Sequence, residues 1–119
     1  MATAKPNFQI VSVPLGKGPP GSMLKFKVQD APGFEANAIL LRDTTVIATW
    51  ESSELLGKQV AEPLVSKGIH TLQVSIIYTT AKPATANLTF QLNNGPVVPV
   101  ALTGKKPDVS RAIATARIV

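Results

Sequence analysis

A chain of 119 residues, 45% of them apolar, is long enough for one domain with its own core and too hydrophobic to be disordered by composition. Cysteine is absent, which excludes disulfides, cysteine catalysis, cysteine zinc sites and iron–sulfur clusters. The net charge of +5 is unevenly laid out: residues 1–29 sum to +4, residues 30–62 to −4 and residues 63–119 to +5, so two basic ends flank an acidic middle.

Ten prolines, eight glycines and only 5% aromatics suit short strands around Val, Ile, Leu and Ala rather than a helix bundle. The opening Met1-Ala2-Thr3-Ala4-Lys5-Pro6 has no apolar run of signal-peptide length, so the protein is expected to be made in the cytoplasm without a leader. No stretch approaches the roughly 20 apolar residues of a membrane span, and no membrane partner is expected. Residues 7–13, with Phe8 and Ile10 in alternation, read as a first strand ending at Pro14, and residues 15–22 as a Gly/Pro loop. Residues 23–29 alternate Leu24, Phe26 and Val28 with Lys25, Lys27 and Gln29, an amphipathic strand closed by the Asp30-Ala31-Pro32-Gly33 turn. Residues 38–42 and 45–51 form a hairpin about Asp43-Thr44, with Trp50 near its end. Residues 52–59 read equally as one helical turn stopped by Gly57 or as a crossover loop. Residues 60–65 are a short strand that Pro63 assigns to an edge.

The clearest strand is residues 68–78, which places His70, Leu72, Val74, Ile76 and Tyr78 on one face and Thr71, Gln73 and Ser75 on the other. Ala86, Leu88, Phe90 and Leu92 share a face of the next strand, 84–92, and Pro99 denies residues 97–102 a central place. Beyond Gly104-Lys105-Lys106-Pro107, the Ala-, Ile- and Arg-rich tail reads as helix or strand alike. The expected organisation is therefore a β-sandwich with an N-terminal arm over residues 1–103 and a C-terminal docking arm over residues 104–119, whose removal leaves the sandwich folded.

The strand count, about seven to eight, predicts an all-β, immunoglobulin-like antiparallel sandwich with extended N- and C-terminal arms. Its residues sharpen this. Ala38-Ile39-Leu40-Leu41-Arg42-Asp43-Thr44-Thr45-Val46-Ile47-Ala48-Thr49, then Leu64 followed by Gly68-Ile69-His70-Thr71-Leu72-Gln73-Val74, then residues 86–92, resemble the hairpin, penultimate strand and closing strand of bacterial immunoglobulin-like (Big-type) domains. The likeness covers residues 23–92; the cysteine pair of antibody domains is missing, with Leu72 at that inward position. It implies the fold and, by analogy, a role in bacterial surface proteins or bacteriophage virions, where such modules space, decorate or adhere.

No catalytic set emerges. His70 is the single histidine, and the resemblance makes it a structural corner whose ring packs inward and whose polar tip bonds nearby backbone. Gly16-Lys17-Gly18 lacks the Lys-Ser/Thr of a phosphate loop and runs into two prolines. The acids show no metal-loop spacing; Asp30 with Glu35, or Glu51 with Glu54, is the weak calcium alternative. Asn87-Leu88-Thr89 fits a glycosylation sequon that a cytoplasmic product does not use. Neither a cofactor nor a metal is expected. Trp50, Tyr78 and Phe34 are the candidates for a sugar-stacking platform: strand-end Trp50 and Tyr78 are expected inside, and Phe34 exposed.

The reading is a non-enzymatic interaction module, an accessory bacteriophage virion protein that decorates or cements a capsid. Its expected partner is a protein, viral capsid subunits or its own oligomer; nucleic acid is not expected, since no basic run is interleaved with aromatics. A carbohydrate- or surface-binding module of an adhesin is the alternative. The expected interaction residues are Lys105, Lys106, Arg111, Ile113, Arg117, Ile118, Val119 and Phe34.

Overall fold

In the computed structural model, which describes residues 6–119, Leu24, Phe26 and Val28 are buried while Lys25 and Lys27 face outward. This two-residue period recurs down the chain because strand side chains alternate between faces. The elements are β1 (Phe8–Gly18), β2 (Ser22–Val28), β3 (Phe34–Arg42), β4 (Thr45–Trp50), a helical turn α1 (Ser52–Leu55), β5 (Gln59–Leu64), β6 (Gly68–Tyr78), β7 (Ala84–Leu92), β8 (Val98–Gly104) and β9 (Val109–Ile118). They build a five-stranded sheet in the order β1-β9-β6-β3-β4 and a four-stranded sheet in the order β5-β2-β7-β8. The molecule is an all-β sandwich of the immunoglobulin-like kind. All neighbours are antiparallel except β1 and β9, which run parallel.

The core lies between the sheets. Phe26, Leu88, Phe90 and Leu102 face Leu40, Leu72, Val74 and Ile76, each almost wholly buried. Trp50, half-buried, meets Phe26 edge-on with ring centroids 5.1 Å apart, an arrangement the ring quadrupoles favour. On β6 the buried side chains are His70, Leu72, Val74, Ile76 and Tyr78, the expected inward set, joined by Ser75. The Tyr78 hydroxyl donates to Ser110 Oγ at 2.9 Å, and Ser110 Oγ donates to Gln9 Oε1 at 3.4 Å, so one polar chain ties β6, β9 and β1. A Cβ added to Gly104 would collide with the Tyr78 ring, which requires glycine at this end of β8.

Several expectations are corrected. The tail is no arm: β9 sits between β1 and β6 and pairs with both along its length. Ala112, Ala114, Ala116 and Ile118 are buried in the core, so the boundary at residue 104 falls inside the sandwich. Across the sandwich β9 packs nearest β8 of the other sheet, a neighbour that strand periodicity alone does not specify. Phe34 is not exposed. It opens β3 opposite Tyr78 and retains 5% of its surface, because β3 begins four residues earlier than the apolar run at Ala38 suggests.

The first strand continues past Pro14 to Gly18 through a register shift, tolerable because β1 is an edge and Pro14 needs no donor on its outer side. β7 is not the closing strand, since β8 and β9 follow and the β7–β8 hairpin separates β6 from its partner β9 in sequence. The ambiguous residues after Trp50 form one helical turn, with Glu54 Oε1 accepting the Glu51 N–H at 3.0 Å and Gly57 at φ +74° stopping it. Residues 1–5, which hold the start of the expected N-terminal arm, lie outside the described residues.

Candidate interaction surface

The expected interaction residues divide among four places. Arg111, Ile113 and Arg117 lie on the outer face of the five-stranded sheet, opposite to the buried alanines of β9. Arg111 Nε donates to Ser75 Oγ at 3.1 Å, which lays its side chain along the sheet. Ile118 is core, only 2% exposed, and Phe34 is core as well. Lys105 and Lys106 are exposed in the β8–β9 turn, where the Lys105 N–H donates to Asp108 Oδ2 at 3.2 Å and the Lys106 N–H to the Thr80 carbonyl at 2.8 Å. Val119 is 51% exposed at the opposite end, its N–H bonded to the Gly18 carbonyl. A single docking tail cannot be drawn through these positions.

A surface does exist, and part of it was missed. The ladders align Phe8, Val109, Ile77 and Glu35 in one row, and Ile10, Arg111, Ser75 and Asn37 in the next. A third row holds Ser12, Ile113, Gln73, Ile39 and Thr49, and another Lys17, Arg117 and Ile69. Phe8 is 72% exposed, Ile10 63%, Ile69 52% and Ile77 39%, so the outer face carries a broken apolar field set with Arg111, Arg117 and Lys17. Phe8 and Ile10 were visible as an alternating pair, but Val11, Val13 and Leu15 alternate too. A strand cannot declare which of two apolar sets faces the core until the partner sheet is placed.

The outer face of the four-stranded sheet is different in kind. Lys25 and Lys27 stand among Gln59, Asn87, Thr89 and Gln91, and the outward positions of these strands hold no carboxylate. A shallow hollow of about 500 Å³ opens there beside Lys27, Asn87, Thr89, Pro99 and Ala101.

The chemistry-bearing residues do not converge. Among the described residues no three His, Asp or Glu side chains gather as metal ligands would. His70 is 2% exposed and its Nδ1 has no hydrogen-bond partner, so the ring packs inward as expected while this nitrogen does not bond the backbone. Tyr78, Phe34 and Trp50 do not form a stacking platform, the first two being buried and the third half-buried against Phe26. Burial raises the Tyr78 hydroxyl above its ordinary pKa; the bond with Ser110 lowers it in part, and the charge of Asp108 raises it further. No protein-family model, curated protein or solved structure matches this chain.

Proposed function

We propose that this chain is a non-enzymatic interaction module, an accessory virion protein that binds and stabilises a particle surface as capsid decoration or cement. The observation that supports a binding role is the outer face of the five-stranded sheet, where Phe8, Ile10, Ile69 and Ile77 are exposed beside Arg111, Arg117 and Lys17. Apolar side chains left in water on one face gain by being covered, and the cations among them favour a partner whose contact surface is acidic. The virion form of the reading rests on the Big-type resemblance of residues 23–92. Gradient-purified particles from the virus–host system encoding the chain should contain it at fixed stoichiometry by mass spectrometry; particles free of it remove the virion role.

The second reading, a carbohydrate-binding module, is favoured by the amide, hydroxyl and lysine lining of the four-stranded sheet and its hollow. Binding to immobilised acidic polysaccharide that is lost on Lys27→Ala, with none to particles, would replace the first reading by this one.

A further inference from the structure

Each sheet ends in two edge strands, and the two sheets protect them differently. The edges of the four-stranded sheet are interrupted: β5 carries Glu62 and Pro63, and β8 carries Pro99. The edges of the five-stranded sheet are more open. β1 opens with six residues, Phe8-Gln9-Ile10-Val11-Ser12-Val13, without charge or proline before Pro14 and the register shift to Lys17, and β4 is Thr45-Val46-Ile47-Ala48-Thr49-Trp50, with neither along its whole length. Such edges offer unpaired backbone groups to another strand unless a charge, a proline or a bulge blunts them. The register shift at Ile47 is the one blunting device on β4, and it leaves Val46 and Ile47 exposed at 53% and 47%.

The two open edges are opposite in charge and in direction. β1 and β9 carry Lys17, Arg111 and Arg117 and no acid; Asp108, at their foot, is held by the N–H groups of Asn7 and Lys105. Around β4 stand Asp43, Glu51, Glu54 and, at the start of β3, Glu35, with Arg42 as the cation of the hairpin and Lys58 beyond α1. The rows match end for end. Lys17 and Arg117 lie level with Ile69, whose N–H donates to Asp43 Oδ1, and Arg111 lies level with Asn37, beside the Ala38–Trp50 pair that precedes Glu51. Followed through the ladders, β1 and β4 run in opposite directions.

We propose that copies of this chain associate head to tail, the β4 edge of one pairing antiparallel with the β1 edge of the next. The inference goes beyond the proposed function and does not depend on a virion partner. Shifting one copy sideways in the plane of the sheet brings β1 against the next copy's β4 with the correct polarity. It also sets the Lys17–Arg117 end against Asp43 and the Arg111 level against Glu51. A two-fold pairing of β4 with itself would bring Asp43 toward a second Glu51, and β1 with itself would bring base toward base. Head-to-tail contacts use two different surfaces and propagate into a ring or a filament.

The test uses two full-length variants, Ile47→Lys to spoil the β4 edge and Ile10→Lys to spoil the β1 edge, lysine blunting an edge strand and repelling its like across the doubly altered contact. Both lie at exposed positions so that the fold is kept, with circular dichroism melts to verify it. Wild type should form concentration-dependent species above monomer by sedimentation velocity. These should dissociate at about 1 M salt, where charges more than about 3 Å apart are screened. Each variant alone should lose every species above monomer. An equimolar mixture should recover a one-to-one heterodimer and nothing larger, because each variant retains one intact edge. Wild type monomeric across the micromolar-to-millimolar range, a dimer that persists in one variant alone, or folded variants that fail to complement would overturn the proposal.

Discussion

His70 packs its ring inward as the sequence leads one to expect, but without the backbone bond expected of its polar tip. It is 2% exposed between Leu72 and the Gly68 end of β6, and Nδ1 lacks a hydrogen-bond partner. Leaving such an atom unpaired costs about 1–3 kcal/mol, whereas deleting the ring leaves a cavity. His70→Ala is therefore expected to destabilise by about 2–3 kcal/mol, and His70→Leu to unfold at equal or higher urea than wild type. Equal destabilisation by both would show that the imidazole makes a polar contact. Tyr78 carries a pH dependence whose sign follows from its raised pKa. The unfolded chain releases the phenolic proton first, near pH 10, so this contribution is fully present below about pH 10 and is lost as pH rises through the folded value. Wild type should lose stability relative to Tyr78→Phe above pH 10, with the difference constant below it; parallel curves throughout would contradict the assignment.

At the scale of elements, β9 decides whether the molecule folds. It lies between β1 and β6, and its removal would take from β1 its one sheet partner and from β6 one of its two, opening the interior over Leu72 and Val74. Deleting residues 109–119 should abolish the cooperative melt, the reverse of what a detachable arm would show. Ala114→Asp gives a point test, since it places an unpaired carboxylate at a site 2% exposed. A cooperative melt close to that of wild type in either variant would return the tail to the surface. The tail was ambiguous because Ala, Ile and Arg alternate weakly and alanine favours helix on its own. Burial against larger neighbours overrides that propensity. The helical turn after Trp50 is open in the sequence for a different reason: four residues are too few for a period to register.

At the scale of the whole molecule, the two outer faces are unlike. One carries exposed Phe8, Ile10, Ile69 and Ile77 among arginines; the other is lysine and amide without a carboxylate. Phe8→Asp combined with Ile69→Asp should leave the melting temperature within a few degrees, because Phe8 is 72% and Ile69 52% exposed. On the proposed role as a particle-binding module, the pair should weaken binding strongly, as it removes apolar cover and would repel an acidic partner. Co-sedimentation with purified particles measures this, and undiminished binding by a folded double variant would move the contact to another face.

The all-β class, the inward face of β6, the β3–β4 hairpin and the edge placement of β5 and β8 were legible in the chain itself. Alternation and proline are local properties that act through the geometry of a single strand. Three matters were not local. Phe8 and Phe34 each lie on an alternating or flanking segment that suits either face, and only the opposing sheet sent one outward and the other into the core. The tail carries no signal for its neighbours, since parallel pairing with β1 and antiparallel pairing with β6 join residues far apart in sequence. The outer surface is composed by ladders that set Ile10 beside Arg111 and Lys17 beside Arg117, and such rows come into being only when the sheet closes.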